Sequence, residues 1–129
     1  YPLEVYLLAK NIDKLPPAIY HYLPEGHKLA IWLQPLPLDT FLAAAYNQPT
    51  LEQAPAILVF SANFSRTSQI LAYQESGHAS QNVYLQVESL KLATVAITNF
   101  DALKLHQVLK LPETETIVYL MPLGHPKEE

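Results

Sequence analysis

Pro55 is followed by Ala56-Ile57-Leu58-Val59-Phe60-Ser61-Ala62, seven residues with a single polar side chain among them. A half-exposed strand alternates apolar and polar positions, whereas a near-continuous apolar run after a proline is the pattern of a strand buried on both faces. This strand is expected to be central, and the rest of the chain has to be arranged around it.

Three further stretches read as partners for it. Leu3-Glu4-Val5-Tyr6-Leu7-Leu8-Ala9 is rich in branched and aromatic residues and reads as a strand reaching about Lys10. Ala18-Ile19-Tyr20-His21-Tyr22 and Lys28-Leu29-Ala30-Ile31-Trp32-Leu33 flank Pro24-Glu25-Gly26, whose proline and glycine supply turn dihedrals, so the pair reads as a β-hairpin. Thr116-Ile117-Val118-Tyr119-Leu120-Met121-Pro122 reads as the last strand, closed by Gly124 and Pro126.

Between these strands the period becomes helical. A short helix is expected through Phe41 to Tyr46, capped by Asp39 or Thr40 and stopped by Asn47 and Pro49. The helical pattern from about Ser65 to Leu92 centres on residues 75–90, where Val83, Val87 and Leu90 repeat at spacings of four and three and form one apolar face. Gly77 interrupts that pattern; a glycine inside a helix costs roughly 1 kcal/mol relative to alanine unless something approaches the backbone closely. Thr94-Val95-Ala96-Ile97 is a short strand or an extended crossing. A second helix, capped by Thr98 or Asn99, carries Leu103, Leu105, Val108 and Leu109 on its apolar side and ends before Pro112. Strands and helices mix without a steady βαβ rhythm, and the early hairpin argues for an antiparallel component, so the class is α+β in one domain over residues 1–129.

Composition narrows the function. The net charge is −4 and no cluster of Lys or Arg exists, which removes the electrostatic attraction that dominates nucleic-acid binding. With no cysteine there is neither a disulfide nor a thiolate zinc site, and a cytoplasmic location fits. No apolar run approaches the roughly 20 residues of a membrane span. Half the residues are hydrophobic and only 16% are charged, so part of the apolar surface is expected to be covered by another subunit.

Short motifs are sparse. Glu75 and His78 lie three apart on one helix face, the spacing by which di-iron bundles present ligands, but the pair occurs once and no metal site is expected. His21, His27, His106 and His125 show no zinc-type spacing and read as surface or hydrogen-bonded residues. Ser61, Ser65 and Ser68 lack a Gly-x-Ser-x-Gly context. Gly26, Gly77 and Gly124 are the only glycines, which excludes a P-loop or Rossmann turn. Tyr6, Tyr20, Tyr22 and Tyr119 fall in expected strands and read as core.

Taken in order, several stretches resemble the C-terminal two-thirds of the nitroreductase superfamily, in its SagB-type dehydrogenase branch. They are Tyr1-Pro2-Leu3-Glu4-Val5-Tyr6, the hairpin from Pro17 to Pro24, Glu75-Ser76-Gly77-His78-Ala79-Ser80-Gln81-Asn82 continuing through Leu85, Phe100-Asp101, Leu109-Lys110-Leu111-Pro112, and Leu120-Met121-Pro122-Leu123-Gly124-His125-Pro126. The resemblance implies a nitroreductase-like α+β fold, a mixed sheet with a long central helix, and an FMN-dependent oxidoreductase that passes hydride through flavin. It also implies a homodimer with flavins in the subunit interface and a small-molecule substrate, with a nicotinamide donor possible.

By the same resemblance, the segment beside the reactive flavin edge falls on Ala96, Ile97, Thr98 and Asn99, with Thr98 or Asn99 donating a backbone N–H. Tyr1 falls near the partner's flavin, and Lys127 is the one substitute for the basic residue of the phosphate clamp. The family's Arg-rich helix and Pro-Ser loop would precede Tyr1. Lys91-Leu92-Ala93 stands where the branch has Gly-Leu-Gly, and Thr98 stands for a usual glycine. The Lys-Tyr pair of azoline-oxidising members is missing from this sequence, so thiazole or oxazole formation is not expected. The alternative is a degenerate nitroreductase-like domain without flavin, acting as a dimeric scaffold or binding module. On either view Gly77 is expected to permit close packing against the partner subunit.

Overall fold

A computed structural model describes residues 2–126 of the chain. Five strands form one sheet: β1 (Leu3–Ala9), β2 (Ala18–Leu23), β3 (Lys28–Leu33), β4 (Ala56–Asn63) and β5 (Glu115–Leu123), in the order β3-β2-β1-β4-β5. The mixed sheet implied by the resemblance is antiparallel at each of these four pairings. β4 is interior, paired to β1 from Leu3↔Ala62 to Ala9↔Ala56 and to β5 on its other side. Seven of its eight residues are buried, Leu58 being half-buried, as the apolar run requires. The middle of the sheet belongs to β1, because the hairpin β2–β3 adds two strands beyond it.

Four helices complete the fold: α1 (Leu38–Ala44), α2 (Pro49–Gln53), α3 (Gln69–Ser89) and α4 (Ala102–Leu109). On one face of the sheet, Tyr6, Leu8, Ile19, Ile57, Val59 and Leu120 pack with Phe41 and Leu42 of α1, Leu51 of α2, and Leu105 and Leu109 of α4. Trp32 closes the edge of this core and donates its indole N–H to the Leu109 carbonyl at 2.7 Å.

α3 lies against β4, β5 and β1. Its contact with the sheet differs from the one its apolar spacing predicts. Val87 is buried, but Leu90 is 56% exposed and Val83 is only half-buried. The buried positions are Ala72, Ser76, Ser80 and Val87, mostly small residues one turn apart. Small side chains let the helix axis approach the sheet, and the two serine hydroxyls are satisfied within the helix, Ser76 by the Ala72 carbonyl and Ser80 by the Gly77 carbonyl. The larger apolar residues Ile70, Leu71, Tyr73 and Leu85 face outward. A Cβ at Gly77 would meet nothing within 4 Å, so no contact inside this chain calls for glycine there.

The helix starts also differ from expectation. α1 begins after Pro37, whose carbonyl accepts from the Phe41 amide at 3.0 Å and from the Thr40 hydroxyl at 3.2 Å; neither Asp39 nor Thr40 caps it. Pro49 does not end α1 but opens α2 at the first helical position, where a missing N–H costs nothing. α4 is capped by Asp101, which accepts from the Lys104 amide at 3.1 Å, rather than by Thr98 or Asn99. The short strand or crossing at Thr94 to Ile97 is an extended crossing with two isolated bridges to β5, Ala93↔Gly124 and Ile97↔Leu120.

Candidate functional site

The crossing runs along the free edge of β5. At its two ends the backbone is paired: the Ala93 amide donates to the Gly124 carbonyl at 2.7 Å, and Ile97 and Leu120 exchange both bonds at 2.8 and 3.1 Å. Continuing the register from either bridge sets Val95 opposite Pro122. Proline has no N–H to give, and no hydrogen bond joins these two residues, so the ladder is interrupted between the bridges.

At this break lies a cavity of about 450 Å³, bounded by Thr94 and Val95, by Pro122 and Gly124, and by Pro49 and Gln53 of α2. Among the described residues no Lys, Arg, Asp or Glu lines it, and His125 is the one titratable residue of its wall. Thr94 lines the cavity, and its Oγ1 is buried without a hydrogen-bond partner among the described residues, an arrangement that costs stability.

The segment following the break is tightly held. The Ala96 amide donates to the Tyr84 hydroxyl of α3 at 2.6 Å. The Asn99 carbonyl accepts from Gln48 Nε2 at 2.6 Å, and the same nitrogen reaches the Ala45 carbonyl at 2.9 Å. The Asp101 amide donates to the Ala44 carbonyl at 2.9 Å. Between these anchors Thr98 and Asn99 are exposed, and among the described residues no hydrogen bond engages either amide. Of the residues expected at the flavin edge, Ala96 and Ile97 therefore have their amides committed to the protein, while those of Thr98 and Asn99 are unbonded among the described residues. Tyr1 and Lys127 lie outside the described residues.

A second polar group occupies the opposite end of the sheet. Glu115, at the start of β5, is buried and accepts from the Tyr6 hydroxyl at 2.8 Å and the Ser61 hydroxyl at 2.6 Å. Tyr6 stacks on His21 at 4.6 Å, and His21 meets Glu4 at 2.7 Å while Arg66 meets the same carboxylate at 3.1 Å. Burial, then the hydrogen bond and charge of Glu115, then the charge of Glu4, push the Tyr6 phenol well above its ordinary value near 10. The buried glutamate and its two hydroxyls are invisible to motif reading, since residues 6, 61 and 115 share no local spacing.

Glu75 and His78 open with Asn82 onto a groove of about 400 Å³ between α3 and the starts of β1 and the hairpin turn. Among the described residues no three His, Cys, Asp or Glu side chains gather within reach of one metal ion. His21, His27 and His106 are hydrogen-bonded, to Glu4, Tyr22 and the Pro112 carbonyl respectively.

A family model described as the Nitroreductase family matches residues 1–125. The chain belongs to this family. A Methanocaldococcus jannaschii protein named as a nitroreductase is 32% identical over 131 aligned positions, covering 96% of this chain and 65% of its own length. Among solved structures, an Anabaena variabilis protein named as a nitroreductase superposes with a TM-score of 0.82 at 20% identity, over 98% of this chain and 27% of that one. The NADPH:FMN oxidoreductase of Vibrio harveyi, solved with NAD+, has a TM-score of 0.62 at 29% identity, over 71% of this chain and 46% of that one. This nitroreductase-family chain thus spans about two-thirds of the curated relative's length and less than half of each of these two structures. The expected nitroreductase-like α+β fold with its long helix is the fold observed.

Proposed function

We propose that this chain is the ring-binding portion of an FMN-dependent oxidoreductase of the SagB-like type. The observation that carries the reading is the β5 edge, where Thr94 and Val95 line a 450 Å³ cavity and the same segment continues to Thr98 and Asn99, whose amides are uncommitted among the described residues. A flat heterocycle edged with carbonyl oxygens and ring nitrogens fits such a set, and the volume lies in the range of ordinary small-molecule sites. When bound, FMN supplies two-electron hydride chemistry. The chain's own residues would bind and orient it: Thr98 and Asn99 would donate backbone N–H groups, and Val95, Pro122 and Leu123 would offer an apolar wall.

Among the described residues the cavity wall offers the phosphate no Lys or Arg, and the flavin-free scaffold is the second reading. The nicotinamide donor is proposed from the likeness to the NADPH:FMN oxidoreductase of Vibrio harveyi, and a small molecule is proposed as substrate. The homodimer is proposed from the outward-facing Ile70, Leu71, Tyr73 and Leu85 of α3, an apolar surface that a second copy would cover. No helix among the described residues is long and apolar enough to cross a membrane; the cytoplasm remains part of the proposal. The experiment is a titration of the protein, expressed with its native flanking sequence, with FMN, followed by flavin absorbance. A shifted, structured flavin band is the expected result, and a colourless protein that ignores FMN defeats the activity while leaving the scaffold.

A further inference from the structure

We propose that Tyr84 and Gln48 are positioning residues that hold the Thr98–Asn99 turn from two sides; this rests on the flavin reading above. Neither residue contacts the cavity, yet each spends a side-chain hydrogen bond on the same short segment. Tyr84 reaches from α3 to the Ala96 amide at 2.6 Å, and Gln48 reaches from the start of α2 to the Asn99 carbonyl at 2.6 Å. The need for them follows from Pro122. With the antiparallel ladder to β5 missing its rung between Val95 and Pro122, the crossing is unsupported at that point, and Ala96, whose amide faces away from β5, is the next residue at which it is held. The Tyr84 hydroxyl does this from a helix rather than from a strand.

At the far side, the turn would otherwise be tied only at the Asp101 amide, two residues beyond Asn99. Gln48 supplies the missing anchor and links it to the Ala45 carbonyl at the end of α1. Two free amides are thereby fixed between four protein anchors. Donors held before the ligand arrives need no reorganisation on binding, which is the physical advantage of the arrangement.

The test uses the whole chain with Tyr84→Phe, Gln48→Met, and Tyr46→Phe as an exposed control. In flavin-free protein, amide hydrogen exchange is followed by NMR. Tyr84→Phe is expected to speed exchange about tenfold at Ala96, and also at Ile97, whose own bond to Leu120 is untouched, because one lost hydrogen bond is worth roughly a factor of ten. In the second arm, FMN affinity is expected to fall about tenfold in both variants, with a displaced flavin band, and to stay unchanged in Tyr46→Phe. Should wild type bind no FMN, the flavin reading fails, and the exchange arm decides the positioning role alone. Unchanged Ile97 exchange in Tyr84→Phe overturns the proposal, and so does FMN binding of wild-type affinity in both variants.

Discussion

Thr94 carries a cost that a ligand can relieve. Its hydroxyl is buried and unpaired, so Thr94→Val, which keeps the shape and deletes the polar atom, is expected to raise the stability of the flavin-free protein by about 1 kcal/mol while weakening FMN binding roughly tenfold. Denaturant unfolding and FMN titration of the same variant check the two signs, and a variant neutral in both refutes the role. Tyr6 has the opposite character, being fully paired to Glu115. Its phenol titrates above the ordinary value near 10 in the folded state, so its contribution to stability is complete below about pH 10 and is lost as the pH rises beyond that. Wild type is therefore expected to lose stability between about pH 10 and 11 more steeply than Tyr6→Phe, which at neutral pH is itself less stable by about 1–2 kcal/mol because Glu115 forfeits a donor. Chemical denaturation at fixed pH steps measures both. Sequence alone marked Tyr6 as core, correctly, but its partner stands 109 residues away, beyond any local pattern.

Elements were legible in proportion to how local their causes are. The apolar run of β4 and the Pro-Glu-Gly turn between β2 and β3 carry their own explanation. The starts of α1 and α4 do not, because several residues in a row were competent caps and only the path of the chain chose among them. Asp101 was chosen through the Ala44–Asp101 backbone bond, which ties the start of α4 to the end of α1. Asp101→Ala is accordingly expected to cost about 1 kcal/mol, whereas Asp39→Ala, at an exposed site that caps nothing, is expected to stay within about 0.5 kcal/mol; thermal unfolding of the two variants compares them. α3 misled for another reason. Apolar spacing finds the stripe of largest side chains, yet a helix pressed close to a sheet buries its smallest ones, and Ala72, Ser76 and Ser80 give no hydrophobic signal.

For the whole molecule, the proposed dimer rests on the outward face of α3, where Ile70, Leu71, Tyr73 and Leu85 are exposed. Gly77 has open space around it within the chain, so its absence of a side chain matters only if a second copy approaches there. Gly77→Leu is expected to raise the dimer dissociation constant at least tenfold by sedimentation, and an unchanged constant counts against a dimer built on this helix. The candidate site was legible only as a resemblance over residues 96–99; the break at Pro122 that shapes it needs the register of two segments far apart in the chain. That same pairing sets an order of assembly. Ala93 and Ile97 have no ladder partners until Gly124 and Leu120 exist, so during synthesis the lead into the turn bearing Thr98 and Asn99 is held by Tyr84 alone, at the Ala96 amide, while α4 and then β5 are made. The last strand of the sheet is thus the part that completes this edge in a newborn chain, and a ribosome-bound product halted after α4 would lack both bridges that frame the crossing.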